Sequence, residues 1–156
     1  THTGVNRMAR RFTWRLESVK KAKKREEDRD REDLAAARRR VRSAESDLTR
    51  LQGQKDDCLD QLRTKQSGHI NTTELKLART YLQRLEGKIE KQNRNLRNTQ
   101  SVTDQKREIL LKTVQEVKVL ENLKERDYQM YRKIERRRDQ ARTDEGANRR
   151  ANRTHL

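Results

Sequence analysis

The side chains best able to do chemistry are few and scattered. The three histidines stand at His2, His69 and His155, and the single cysteine at Cys58. Nucleophilic catalysis needs a hydroxyl or thiol beside a base, with a third group orienting that base. No histidine here stands near a nucleophile in such an arrangement. A zinc site needs several Cys or His ligands at close spacing, and His69 has neither a cysteine nor a second histidine nearby. No glycine-rich loop could cradle a phosphate. Cys58 occupies a position in a hydrophobic seam, where packing is the ordinary role of a thiol. These observations exclude the common catalytic, metal and cofactor sites, and the chain reads as a non-enzyme that works by binding other macromolecules. A single cysteine forms no internal disulfide, which fits a reducing compartment. No apolar run approaches the roughly 20 residues needed to span a bilayer, so the expected location is the cytoplasm.

Charge is the next source of function. The chain carries 41 Lys and Arg against 25 Asp and Glu, a net charge of +16, which favours acidic partners without specifying a fold. The run Lys20-Lys21-Ala22-Lys23-Lys24-Arg25 is followed at once by acids from Glu26 to Asp33. Lys24 with Asp28, and Glu27 with Arg31, fall at i,i+4, so this stretch reads as a solvated, mutually paired helix face. Arg136-Arg137-Arg138 and the tail residues Arg149, Arg150 and Arg153 have fewer acidic neighbours and can bind anions. Nucleic-acid binding favours aromatics among the basic residues, yet aromatics are only 3% of the chain and lie mostly near its ends. That makes nucleic acid a poorer expectation, and docking onto an acidic protein surface fits these charges equally well.

What positions these groups must be helical. Proline is absent, where average usage of about 5% predicts roughly eight residues. Charged residues make up 42% and hydrophobic ones 29%, too little apolar material for a compact globule but enough for long helices with a narrow seam. Apolar or small residues recur at alternating spacings of three and four through Leu34, Ala37, Val41, Ala44, Leu48, Leu51, Cys58 and Leu62, with Lys55 the one interruption. That is a heptad seam. The same register runs back through polar Asp30, Glu27, Lys23 and Lys20 to Leu16, beside Phe12, Trp14 and Val19. A second seam follows Leu75, Ala78, Leu82, Leu85, Ile89, Leu96, Leu110, Val117, Leu120, Tyr131 and Ile134, with Gln92, Thr99, Thr103, Lys106 and Thr113 as weaker layers. Val102, Ile109, Leu123 and Met130 add an adjacent column, and this wider stripe implies more than one neighbour.

Between the halves lies Gln66-Ser67-Gly68-His69-Ile70-Asn71. Gly68 suits the left-handed conformation that ends a helix, and Asn71 with Glu74 forms the cap and third-residue pair of a capping box. Gly53 and Gly87 lack such flanks and are expected inside helices. The fold class is therefore all-α: a long two-helix antiparallel coiled-coil hairpin with a protruding C-terminal helix end. The expected divisions are an N-terminal flexible segment 1–11, a first helix 12–65, a turn 66–71, a second helix 72–142 and a basic flexible tail 143–156. Met8 opens a stretch that reads as a natural start, so residues 1–7 are expected to lie upstream of it. Folding at the turn sets Leu48 against Leu85 or Gln92, one heptad apart, and Leu16 near Val117 to Lys124. The second helix then overruns the first, carrying Tyr128, Met130, Tyr131 and Ile134 without an internal partner.

Three patches resemble the FliJ family of flagellar type III export proteins, over about residues 8–147. Phe12-Thr13-Trp14-Arg15-Leu16-Glu17-Ser18-Val19 is similar to that family's aromatic–Leu–Glu opening. Tyr81-Leu82-Gln83-Arg84-Leu85, with Ile89 and Gln92, resembles its segment after the turn. Leu120-Glu121-Asn122-Leu123-Lys124-Glu125-Arg126, then Tyr128 and Tyr131, then Glu135 to Gln140 and Asp144-Glu145-Gly146-Ala147, resembles its C-terminal signature, in which Leu120, Glu121, Asp144 and Glu145 stand out. The resemblance implies a stalk like that of rotary ATPases, which binds the export ATPase ring, the cytoplasmic part of the membrane export gate and substrate chaperones. It implies a cytoplasmic protein peripherally associated with the inner membrane at the flagellar base, and no small-molecule substrate. Phe12, Trp14, Leu16, Leu123, Tyr128 and Tyr131 are then the expected ring-binding tip, above a seam centred on Leu48, Leu51, Leu82, Leu85 and Ile89. The competing classes are a basic nucleic-acid-binding coiled coil and a structural dimerisation protein.

Overall fold

A computed structural model of the chain describes residues 11–66, 68, 69 and 71–153; the expected start at Met8 and the segment 1–7 lie outside them. Two helices account for nearly all of it: α1, Glu17–Gln66, and α2, Thr72–Arg153. Together they form an all-α helical hairpin, and no strand occurs among the described residues. Glu17 in the first turn of α1 and Arg63 and Lys65 in its last turn match the signs of the helix macrodipole. Gly53 and Gly87 sit inside the helices as expected.

Two boundaries and the backbone of the turn differ from expectation. Residues 11–14 have no regular structure and α1 begins at Glu17, not at residue 12. The turn is entered as Glu17 N–H donates to the Trp14 carbonyl at 3.2 Å and Lys20 N–H to that of Leu16 at 3.0 Å. At the other end, α2 continues through Thr143 to Arg153 instead of stopping at 142. The segment contains no proline and carries helix-compatible pairs such as Arg142–Asp139 at 3.8 Å and Arg149–Glu145 at 3.9 Å. At the hairpin turn, Asn71 caps α2 as expected: its Oδ1 accepts from Thr73 N–H at 3.1 Å, and its carbonyl from Leu75 N–H at 3.1 Å. Glu74, however, pairs with Lys65 across the turn at 3.4 Å, so the box is half made. Gly68 does not adopt positive φ; its N–H donates to the Lys65 carbonyl at 3.1 Å, and a Cβ there would meet only that oxygen, at 3.9 Å.

The chain divides into two compact units. The one spanning Glu27–Lys112 contains the turn. Its seam buries Leu34, Ala37, Ala44 and Leu51 from α1, and Leu85, the least exposed side chain of α2 at 2%. Leu48, Leu82 and Ile89 lie half-buried along the same line. The alanines bring the backbones close enough for Gln92 Nε2 to donate to the Ala44 carbonyl at 3.1 Å. Lys55–Glu86 at 3.1 Å and Lys106–Asp33 at 3.2 Å flank the seam. These pairings select the register in which Leu48 falls at Gln92, not at Leu85. Glu27 is only 2% exposed and accepts two bonds from the Arg31 guanidinium, at 3.0 and 2.6 Å.

The other unit joins the described residues up to Glu26 to those from Thr113 onward. Among its described residues Trp14, Val117 and Thr113 are buried, and its cross-helix ties are largely ionic. Lys23 meets Glu116 at 2.7 Å and Glu26 at 2.8 Å; Lys124 meets Glu17 at 2.7 Å.

Candidate partner-docking site

The six residues expected at the tip fall in one unit, and the structure joins most of them. Every third or fourth residue of α2 from Val117 onward, namely Leu120, Lys124, Asp127 and Tyr131, is turned toward α1 or the chain before it. That chain, residues 11–16, lies across α2 as a short strap. The Phe12 ring sits 5.4 Å from that of Tyr128, edge-on, and 5.3 Å from that of Tyr131. Such offset and edge geometries are the preferred ones for aromatic rings. Trp14 is 8% exposed, and its indole Nε1–H donates to Asp127 Oδ2 at 2.9 Å. The Lys124 ammonium lies 6.0 Å from the Trp14 ring centroid, at the outer limit of a cation–π contact. The Arg132 guanidinium stands 6.0 Å over Tyr128. Leu16 and Leu123 are half-buried in the same unit.

This overturns one expectation. Tyr128 and Tyr131 are not without an internal partner, because the strap supplies Phe12. Met130 and Ile134 are exposed, as expected of a helix outrunning its partner. Asp127, Lys124 and Glu17 are the members of the site that the sequence reading passed over. Their signal was present: the spacing of three and four continues through 124 and 127, but with polar residues that an apolar search skips. Polar side chains at seam positions are where a strap or partner can be anchored by charge.

The electrostatics follow from these contacts. The hydrogen bond from Lys124 holds the Glu17 carboxyl below its ordinary value, against an opposing contribution from burial. Hydrogen bonds to Glu116 and then Glu26 push the Lys23 ammonium well above its ordinary range. Both pairs favour the charged forms.

Other expected residues stand apart. Glu121, Asp144 and Glu145 are exposed on α2, and Glu145 has Arg149 at 3.9 Å. Cys58 is a half-buried free thiol at its seam position, and His69 is exposed in the turn. Among the described residues no group of His, Cys, Asp and Glu could hold a metal ion, and no helix is long and apolar enough to cross a membrane. Near the turn, Leu77 is 67% exposed, with Tyr81 and Leu75 also uncovered. The column Val102, Ile109 and Met130 is likewise exposed.

Comparison with curated proteins and with solved structures finds no match to either. The family profile described as flagellar FliJ protein matches residues 12–155, from the strap to the far end of α2. The hairpin and this near-complete match agree, and the chain belongs to the family of flagellar FliJ proteins, components of the flagellar export apparatus.

Proposed function

We propose that this chain is a coiled-coil stalk that binds and activates the export ATPase ring, and links that ring to the membrane export gate and to substrate chaperones. It would act in the cytoplasm, peripherally at the inner membrane. The observation that carries the reading is the aromatic cluster of Phe12, Tyr128 and Tyr131, half-open to solvent beside buried Trp14. Aromatic side chains grouped with arginine are typical anchors of protein interfaces, and Arg132 stands over Tyr128. A pair of helices, each about 10–12 Å across with its side chains, is slender enough to enter the central opening of a ring.

The mechanism is differential binding. A stalk that contacts the assembled, active ring more favourably than its inactive forms shifts the population toward activity. The ring hydrolyses ATP, and the stalk contributes only contact energy.

The test is ATP hydrolysis by the flagellar export ATPase of the same organism, with and without this chain, at moderate salt. Saturable stimulation near one chain per ring is expected. An active ATPase that does not respond would sink the proposal. Leu123→Asp, at a half-buried position beside the tip, should weaken ring binding while leaving helicity nearly intact. Normal stimulation by that variant would remove the tip from the reading.

A further inference from the structure

The strap is itself a bound ligand, and its contacts specify what the face beneath it accepts. Four side chains of α2 meet it: Lys124, Asp127, Tyr128 and Tyr131. Between them they take three chemical features. Tyr128 and Tyr131 receive the Phe12 ring. Asp127 receives the indole N–H of Trp14. Lys124 donates to the carboxylate of Glu17, where the strap enters α1, at 2.7 Å. The strap is not part of the helical seam, since residues 11–14 have no regular structure. Its residues 11–14 are held to α2 by the Tyr128 and Tyr131 rings and one indole hydrogen bond, and they lie outside both helices.

We infer that the Lys124–Tyr131 face of α2 is a docking site for a protein segment bearing two aromatic residues separated by one and then entering a helical turn that carries a carboxylate three residues beyond. In the free chain that site is filled by the chain's own Phe12-Thr13-Trp14 and Glu17, which a partner's segment must displace. The inference rests on the reading of this tip as a docking surface, and it changes what docking means there. Phe12 and Trp14 hold the partner's place; Tyr128 and Tyr131 make the contact. The occupant is set by the geometry of the strap. An acidic segment without aromatics could satisfy Lys124 but would leave the Phe12 place on the tyrosine rings empty, and an apolar one would leave the Asp127 carboxylate without its indole donor.

The experiment uses the full chain and a fluorescein-labelled peptide of residues 11–20. The chain is prepared as wild type, with Phe12→Ser and Trp14→Ser together, and with Tyr131→Ala added to that pair. A tethered strap competes at a millimolar-order effective concentration, so the emptied chain should bind the peptide about tenfold or more tightly than wild type does. Adding Tyr131→Ala should abolish that gain. Circular dichroism establishes that all three remain helical. A second readout needs no substitution: Trp14 is the only tryptophan, so its emission in the wild-type chain should be that of a buried indole and resist an aqueous quencher. Equal peptide binding by wild-type and emptied chains, no saturable binding by the emptied chain, or a fully quenchable Trp14 would each overturn the inference. No ATPase is present in this assay, so its outcome is separate from that of the stimulation experiment.

Discussion

At the scale of single residues, the informative side chains are charged ones on seam positions. Lys23, Glu27, Lys124 and Asp127 occupy places where a coiled coil ordinarily sets apolar groups, and each is matched to a specific partner. Glu17 gives the clearest pH signature. Its carboxyl is lowered from 4.5 by Lys124, so the ion pair contributes stability above the unfolded value and loses it as pH falls through the lowered folded one. By NMR, the Glu17 titration midpoint should lie below 4.5 in the wild-type chain and return toward it in Lys124→Met. An unchanged midpoint would show that the pair does not persist in solution. These contacts were only half legible in the sequence. The spacing placed Lys23 and Glu27 on the seam, but nothing in it said that Asp127 would receive an indole from a residue 113 positions away.

At the scale of the elements, the helices were legible almost throughout and their ends were not. Periodicity and the absence of proline gave α1 and α2, and Asn71 marked where α2 begins, because its side-chain cap is local chemistry. Three features escaped: the non-helical strap, the helical continuation to Arg153 and the ordinary backbone of Gly68. The first depends on Phe12 and Trp14 finding α2, a tertiary contact that overrides local preference. Because Gly68 lacks positive φ and has room for a Cβ, Gly68→Ala should be neutral or stabilise by roughly 0.4–1 kcal/mol, chiefly by restricting the unfolded chain. A loss of 1 kcal/mol or more in urea unfolding, on the order of the positive-φ penalty, would restore the left-handed turn. Leu85→Ala should cost about 2–4 kcal/mol, since it empties the best-buried seam position. Thr103 is buried with its hydroxyl bonded to the Thr99 carbonyl at 2.8 Å. Thr103→Val keeps the shape, removes a bond that competes with the helix ladder, and should raise the melting temperature by a few degrees.

At the scale of the whole molecule, the two units differ in what holds them. The unit around the turn buries leucines and alanines, whereas the one containing the strap relies on ion pairs around Trp14 and Val117. Salt screens exposed charges and leaves apolar burial largely intact. Amide exchange at about 1 M salt should therefore accelerate in residues 113–126 well before residues 78–96, and uniform protection would refute the distinction. Sequence alone determined the all-α hairpin and the polar character of one end of its seam, because heptad spacing, capping and composition act through near neighbours, and three residue patches carried the FliJ resemblance. It left the register open, since Leu48 meets Leu85 or Gln92 equally well by pattern. The bond from Gln92 to the Ala44 carbonyl and the pair Lys55–Glu86 settled it. Tertiary structure also decided that Tyr128 and Tyr131 are covered by Phe12. Both are contacts between residues distant in sequence, and a spacing rule that counts along one chain does not contain the distance across to another helix.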